Sequence, residues 1–208
     1  MAQFTLNKAT ANTNIEKKLV VVEDFYENPD YVRNFALQQQ LLEHKDYHKG
    51  HRTEDRFFAP HMQEVFENIL GKKINNWYNG DYCNGVFQYV TKNDPEVFHI
   101  DVQDWGGIIY LTPDAPYGGG TSFYASKLTG HRHEKQRGFS YDKVFPELPS
   151  GEDPFLDKTR FEKVDEVGNV YNRLVLFDAR LIHSGVGYFG DNAFNSRLFH
   201  LFFFDVDS

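Results

Sequence analysis

His99-Ile100-Asp101 sets an imidazole and a carboxylate two residues apart. In a β-strand, residues i and i+2 point to one face, so both groups would converge on one point. His183, in Leu181-Ile182-His183-Ser184-Gly185, follows an apolar run and precedes a glycine turn, which makes it the candidate for a third donor. Two histidines and one carboxylate form the facial donor set of non-haem Fe(II) oxygenases, which leaves metal positions open for co-substrate and dioxygen. Alone, a His-x-Asp tripeptide describes a surface pair or a hydrogen-bonded core histidine equally well. Arg197 adds a second signal, because it opens an almost wholly apolar run from Arg197 to Phe204. A lone Arg entering such a strand needs an anionic partner or exposure. Its planar fork matches a carboxylate; an exposed edge Arg is the alternative.

The elements that must position these residues are β-strands. Val86–Val90, Phe98–Asp101, Gly107–Leu111, Thr121–Tyr124, Leu174–Phe177 and Arg197–Phe204 read as short strands separated by Gly, Pro, Asn and Asp clusters. Leu19–Val22 reads as an earlier strand. Asp30 is a candidate N-cap for a helix that runs to about His44 or Lys45, and a second helix is expected from about Pro60 to Leu70, ended by Gly71. Residues 125–170 are charged and proline-bearing and read as a long insert. The expected fold class is mainly β with N-terminal helices, a jelly-roll or cupin-like barrel. Residues 1–16 read as a loose N-terminal arm, and residues 17–208 as one domain.

Composition supports this reading and excludes others. The chain has 208 residues with 20 Phe and 12 Tyr, and aromatic residues suit pleated, half-buried surfaces. A formal charge of -8 argues against nucleic-acid binding and favours a neutral or cationic substrate. No run of apolar residues is long enough for a membrane span, and no signal peptide is seen. The single Cys83 builds neither a disulfide nor a zinc ribbon, so a reducing, cytoplasmic setting is expected.

The ordered set Tyr89, His99-x-Asp101, Ile108-Ile109-Tyr110-Leu111, Gly118-Gly119-Gly120-Thr121-Ser122-Phe123-Tyr124, Asn172-Arg173-Leu174-Val175-Leu176-Phe177, His183-Ser184-Gly185 and Arg197 resembles the 2-oxoglutarate- and Fe(II)-dependent oxygenases. It is most similar to their prolyl-hydroxylase-like branch, over residues 85–204. The resemblance implies a double-stranded β-helix with Fe(II) held by His99, Asp101 and His183. It implies that Arg197 pairs with the distal carboxylate of 2-oxoglutarate, that Tyr110 adds a hydrogen bond there, and that Tyr89 lines the co-substrate pocket. For both tyrosines, plain β-core packing is the other reading. The implied activity is hydroxylation of a C–H bond of a small molecule or an amino-acid or peptide side chain, with dioxygen consumed and succinate and carbon dioxide released. Asp101 favours hydroxylation over halogenation, which needs that ligand position vacated.

One departure from the family pattern is a long interval between His183 and Arg197, which an extended hairpin over Gly187–Asn195 would absorb. Gly118-Gly119-Gly120 lacks the Gly-Lys-Thr ending of a phosphate loop and reads as a turn that lets the backbone pass close to a neighbour. His131 and His133 lie in the expected insert and read as a solvated loop. Two other classes stand beside the oxygenase: a cupin-type metal barrel with a different activity, and a non-enzymatic binding protein on the same fold.

Overall fold

The computed structural model describes residues 17–43, 50–77, 83–148 and 153–207. The expected N-terminal arm, the expected helix end at His44 or Lys45, and Pro149 of the expected insert lie outside the described residues. The chain runs β1 (Leu19–Val22), α1 (Pro29–Leu37), β2 (Leu42–Glu43), β3 (His51–Arg52), α2 (Met62–Leu70), β4 (Ile74–Asn76), β5 (Val86–Val90), β6 (Trp105–Tyr110), β7 (Thr121–Ser126), α3 (Tyr141–Val144), a 3-10 turn (Lys158–Arg160), β8 (Phe161–Val167), β9 (Leu174–Asp178), β10 (His183–Gly185) and β11 (Arg197–Val206).

The strands form two antiparallel sheets. The major sheet has the order β1-β9-β6-β11-β5-β3-β2, with β4 also paired to β11. The minor sheet has the order β10-β7-β8. Alternation along β11 divides the molecule into layers. Leu198, Phe202 and Phe204 face the helices, whereas Phe199 and Leu201 face the minor sheet. On the helix side, Met62, Phe66 and Leu70 recur at helical spacing and pack on Phe202 and Phe204. Each such fully buried aromatic or aliphatic side chain contributes about 1.5–3 kcal/mol. Between the sheets, Val86, Ile108, Tyr110, Val175, Phe177 and Phe199 meet Phe123 and Val167. On the far side of the minor sheet, Val144 and Phe145 cover Phe98, Tyr124, Phe161 and Ile182.

Several local expectations change. Helix α1 is capped by the Asn28 side chain, which accepts the Tyr31 N–H at 3.1 Å, with Pro29 and Asp30 inside the first turn. It stops at Leu37, because the chain then turns into β2, which pairs with β3. Helix α2 ends at Gly71, whose left-handed backbone donates to Glu67 O at 2.7 Å, as its sequence suggested. The charged stretch Glu162–Glu166 within the expected insert is the exposed middle of edge strand β8, which pairs along β7. Exposure on an edge lets a strand carry charges throughout, and that hides it from pattern reading. Among the described residues, no helix is long and apolar enough to cross a membrane.

Candidate metal and co-substrate site

His183 sits in β10, opposite Phe123 of β7. His99 is not in a regular strand. It joins β10 through a single antiparallel bridge, in which His99 N–H donates to His183 O at 3.0 Å and His183 N–H donates to His99 O at 2.9 Å. Asp101 N–H is tied to Ala179 O at 2.9 Å. The i, i+2 convergence expected of His99 and Asp101 therefore survives without an extended ladder. One bridge plus one further backbone bond holds both residues beside His183.

The three side chains come together with ligand atoms within 4.8 Å of one another. His99 Nε2 lies 3.5 Å from Asp101 Oδ1, and His183 Nε2 lies 3.3 Å from Asp101 Oδ2. The other ring nitrogens are committed to the backbone. His99 Nδ1 meets Val97 O at 2.9 Å and His183 Nδ1 meets Leu181 O at 2.8 Å. A carbonyl only accepts, so each Nδ1 carries the proton and each Nε2 turns a lone pair toward the carboxylate. Asp101 Oδ2 is buried and makes no geometric hydrogen bond among the described residues. Two lone pairs and an orphaned carboxylate oxygen facing one another are repulsive by themselves and are satisfied by a cation between them. The donor set thus fits a divalent metal, with the second-shell carbonyls orienting the rings. Burial and the neighbouring His183 hold the His99 imidazole below its ordinary range. Burial pushes the Asp101 carboxyl up, but the charge of His99 and His183 in their protonated forms, with that of Arg52, outweighs it and holds it low. Both shifts favour the unprotonated, ligating forms. Phe177 and Phe123 wall the site, with their ring centroids 4.7 and 6.4 Å from that of His183.

Arg197 opens β11 and is 2 % exposed, which removes the exposed-edge alternative. Its Nε donates to Gly119 O at 2.9 Å, and its Nη2 donates to Gly120 O at 3.2 Å and Thr121 Oγ1 at 3.3 Å. The glycine run is thus the cradle of this guanidinium and not a phosphate loop. Gly120 must be glycine, since a Cβ there would stand 2.0 Å from Val167 O. Three rings surround the cation: Phe199 at 4.5 Å, Tyr110 at 5.2 Å and Tyr188 at 5.8 Å. Tyr110 OH also meets Thr121 Oγ1 at 2.8 Å. Among the described residues no carboxylate pairs with Arg197, and Nη1 has no partner.

Two expectations do not hold. Tyr89 is opposite Leu198 in the β5–β11 ladder and packs with the helix-side cluster, stacked on His51 at 4.6 Å. It faces away from the layer that holds Arg197 and Tyr110, so it does not line that pocket. Strand parity decides this, because Val90 and Gln88 take the inner face. The Gly187–Asn195 segment is a turn-rich loop and not a hairpin, with Asn195 Oδ1 accepting from Asp191 and Asn192 N–H. It still absorbs the extra length, and it delivers Tyr188 over Arg197. Tyr188 and Thr121 are the site residues the sequence did not flag. Only the closeness of Tyr188 to His183-Ser184-Gly185 hinted at the first. His133 is buried rather than solvated, its Nε2 3.0 Å from Asp178 Oδ2, so it is a packing element.

Residues 4–188 match the model of DUF6445, a family of unknown function. The chain belongs to the DUF6445 family. No curated protein matches this DUF6445 chain in sequence. Solved structures share its fold at low identity. HygX from Streptomyces hygroscopicus, with nickel, 2-oxoglutarate and hygromycin B bound, has a TM-score of 0.61 at 10% identity, covering 96% of this chain and 87% of its own. The non-haem α-ketoglutarate-dependent carbocyclase SnoK of nogalamycin biosynthesis has a TM-score of 0.52 at 14% identity, covering 96% and 84%. AviO1 from Streptomyces viridochromogenes Tue57 has a TM-score of 0.51 at 14% identity, covering 96% and 94%. The DUF6445 chain therefore has the fold of the iron- and 2-oxoglutarate-dependent oxygenases.

Proposed function

We propose that this chain is an Fe(II)- and 2-oxoglutarate-dependent dioxygenase on a double-stranded β-helix, hydroxylating a C–H bond of a small molecule or an amino-acid side chain. The observation that carries the reading is the placement of Arg197 relative to the three metal-binding candidates. Phe123 is paired with His183, and Thr121, two residues back on the same face of β7, meets Arg197. One pleat repeat of about 7 Å therefore separates the level of the metal donors from the level of the cation. That interval suits a short diacid with one end at a metal and the other at a guanidinium.

In this reading His99 Nε2, His183 Nε2 and an Asp101 oxygen hold the metal, and the Val97 and Leu181 carbonyls fix both imidazole tautomers. Arg197 spends Nε and Nη2 on the glycine carbonyls and Thr121, which leaves Nη1 for the distal carboxylate. Tyr110 shares Thr121 with Arg197 and orients the same end of the co-substrate. Phe123 and Phe177 keep water from the reacting centre. Bound Fe(II) with 2-oxoglutarate supplies the oxidative chemistry, consuming dioxygen and releasing succinate and carbon dioxide. A plain cupin-type metal barrel has no use for a buried cation at the position of Arg197.

The test is anaerobic spectroscopy. Fe(II) plus 2-oxoglutarate should give a visible metal-to-ligand charge-transfer band, and Asp101→Ala and His183→Ala should abolish it. Absence of the band in the wild type, or its survival in both variants, overturns the reading.

A further inference from the structure

Arg52 is a second guanidinium on the inner side of the major sheet. In the β3–β5 ladder His51 is opposite Tyr89 and Arg52 is opposite Gln88. Tyr89 belongs to the helix side, so Arg52 and Gln88 belong to the side that carries Arg197 and Phe199. Gln88 Oε1 accepts from Arg52 Nε at 2.9 Å and from Nη2 at 2.7 Å, which fixes the plane of the guanidinium. The guanidinium also has a hydrogen-bonded contact with the Cys83 side chain.

Charge makes this arrangement informative. Among the described residues no carboxylate pairs with Arg52, and the metal-donor cluster is walled by Phe123 and Phe177 of the same inter-sheet layer. Arg52 is half-buried, and a neutral amide returns only part of the hydration that its guanidinium gives up. On the reading above, a divalent metal, Asp101 and the keto-acid end of 2-oxoglutarate balance one another, and the distal carboxylate balances Arg197. Arg52 then has no carboxylate partner among the described residues and keeps its charge on the inner side of the sheet. The overall charge of -8 suggested a neutral or cationic substrate, but exposed charges are screened within about 10 Å. A fixed cation at the site governs recognition instead.

We propose that Arg52, held by Gln88, anchors an oxyanionic group of the primary substrate, a carboxylate or a phosphate, beside the metal triad. The proposal rests on the oxygenase reading and adds the substrate class to it. The planar fork suits either oxyanion.

The experiment is a thermal-shift titration of the full chain loaded with Ni(II) and saturating 2-oxoglutarate. The probes are free amino acids beside their amides, and sugar phosphates beside the parent sugars. At least one carboxylate or one phosphate is expected to raise the midpoint where its neutral counterpart does not, and the responding arm tells the two sources apart. Arg52→Gln should weaken that response by about 10–100-fold in affinity while keeping the shift produced by Ni(II) and 2-oxoglutarate. Arg52→Lys should retain part of it, and its own Ni(II) response shows that the variant is folded. Equal shifts from the neutral counterparts, an unchanged response in Arg52→Gln, or no response to any probe overturns the proposal. Failure of Ni(II) and 2-oxoglutarate to stabilise the wild type would instead strike the oxygenase reading.

Discussion

His99 and His183 are clasped to each other by two reciprocal backbone hydrogen bonds, 3.0 and 2.9 Å long, with their ring centroids 4.3 Å apart. Nothing else pairs His99 into a sheet among the described residues, so this one bridge joins a loop residue to strand β10. Two side chains far apart in sequence thereby share one rigid frame, with Asp101 between their Nε2 atoms.

That frame predicts metal-dependent stability. Divalent metal at about 100 times its dissociation constant should stabilise the protein by about 2.7 kcal/mol, and chelation should remove that gain. Asp101→Ala should lose the metal response, because it deletes the carboxylate that stands between the two Nε2 atoms. Calorimetric melts with and without chelator check both parts.

Arg197 and its ring neighbours predict a graded series in 2-oxoglutarate affinity. Arg197→Gln should weaken binding by about 10–100-fold, the loss of charged hydrogen bonds worth about 1.5–3 kcal/mol. Tyr110→Phe should weaken it by a few-fold. Tyr89→Phe should leave it unchanged, since that ring faces the helices. Anaerobic titration of the charge-transfer band ranks the three.

Gly120→Ala tests the cradle. The added methyl would stand 2.0 Å from Val167 O and cannot be accommodated without moving β7 or the loop that ends β8. A loss of about 1–3 kcal/mol in denaturant unfolding is expected, together with weaker 2-oxoglutarate binding. Wild-type values for both would refute the steric account.

His200 predicts acid sensitivity. Its Nδ1 meets Tyr26 OH at 2.7 Å and its Nε2 meets Phe57 O at 3.0 Å, and burial lowers its pKa to about 4. The unfolded imidazole takes a proton near pH 6.5, before the folded one does. Stability is therefore complete above about pH 6.5 and falls as pH drops toward 4, by up to about 3 kcal/mol. Unfolding at several pH values should show this slope, and His200→Gln should flatten it.

The strands that carry this site were legible because their aromatic and β-branched runs are bounded by turn residues. Strand β8 was not, because Glu162–Glu166 on an exposed edge resemble a loop. The end of α1 was also misread: Leu41 and Leu42 keep helical spacing, but Leu42 pairs with Arg52 in a strand. Local spacing gave no sign of that competing partner.

The sequence by itself determined the candidate donor types, the β class and a lone cation at the head of the last apolar strand, whose burial the structure then decided. Those follow from residue chemistry and period-2 patterning, which are local. Only the tertiary structure decided which tyrosine joins Arg197. Tyr89 and Tyr110 both sit in apolar strands, but a one-residue change of register moves every side chain to the opposite face. Parity against β11 sends Tyr110 inward and Tyr89 to the helices, and it puts Arg52 and Gln88 on the inner face with Arg197 and Phe199. Register is set by pairing between distant segments, and spacing within a single strand does not contain it.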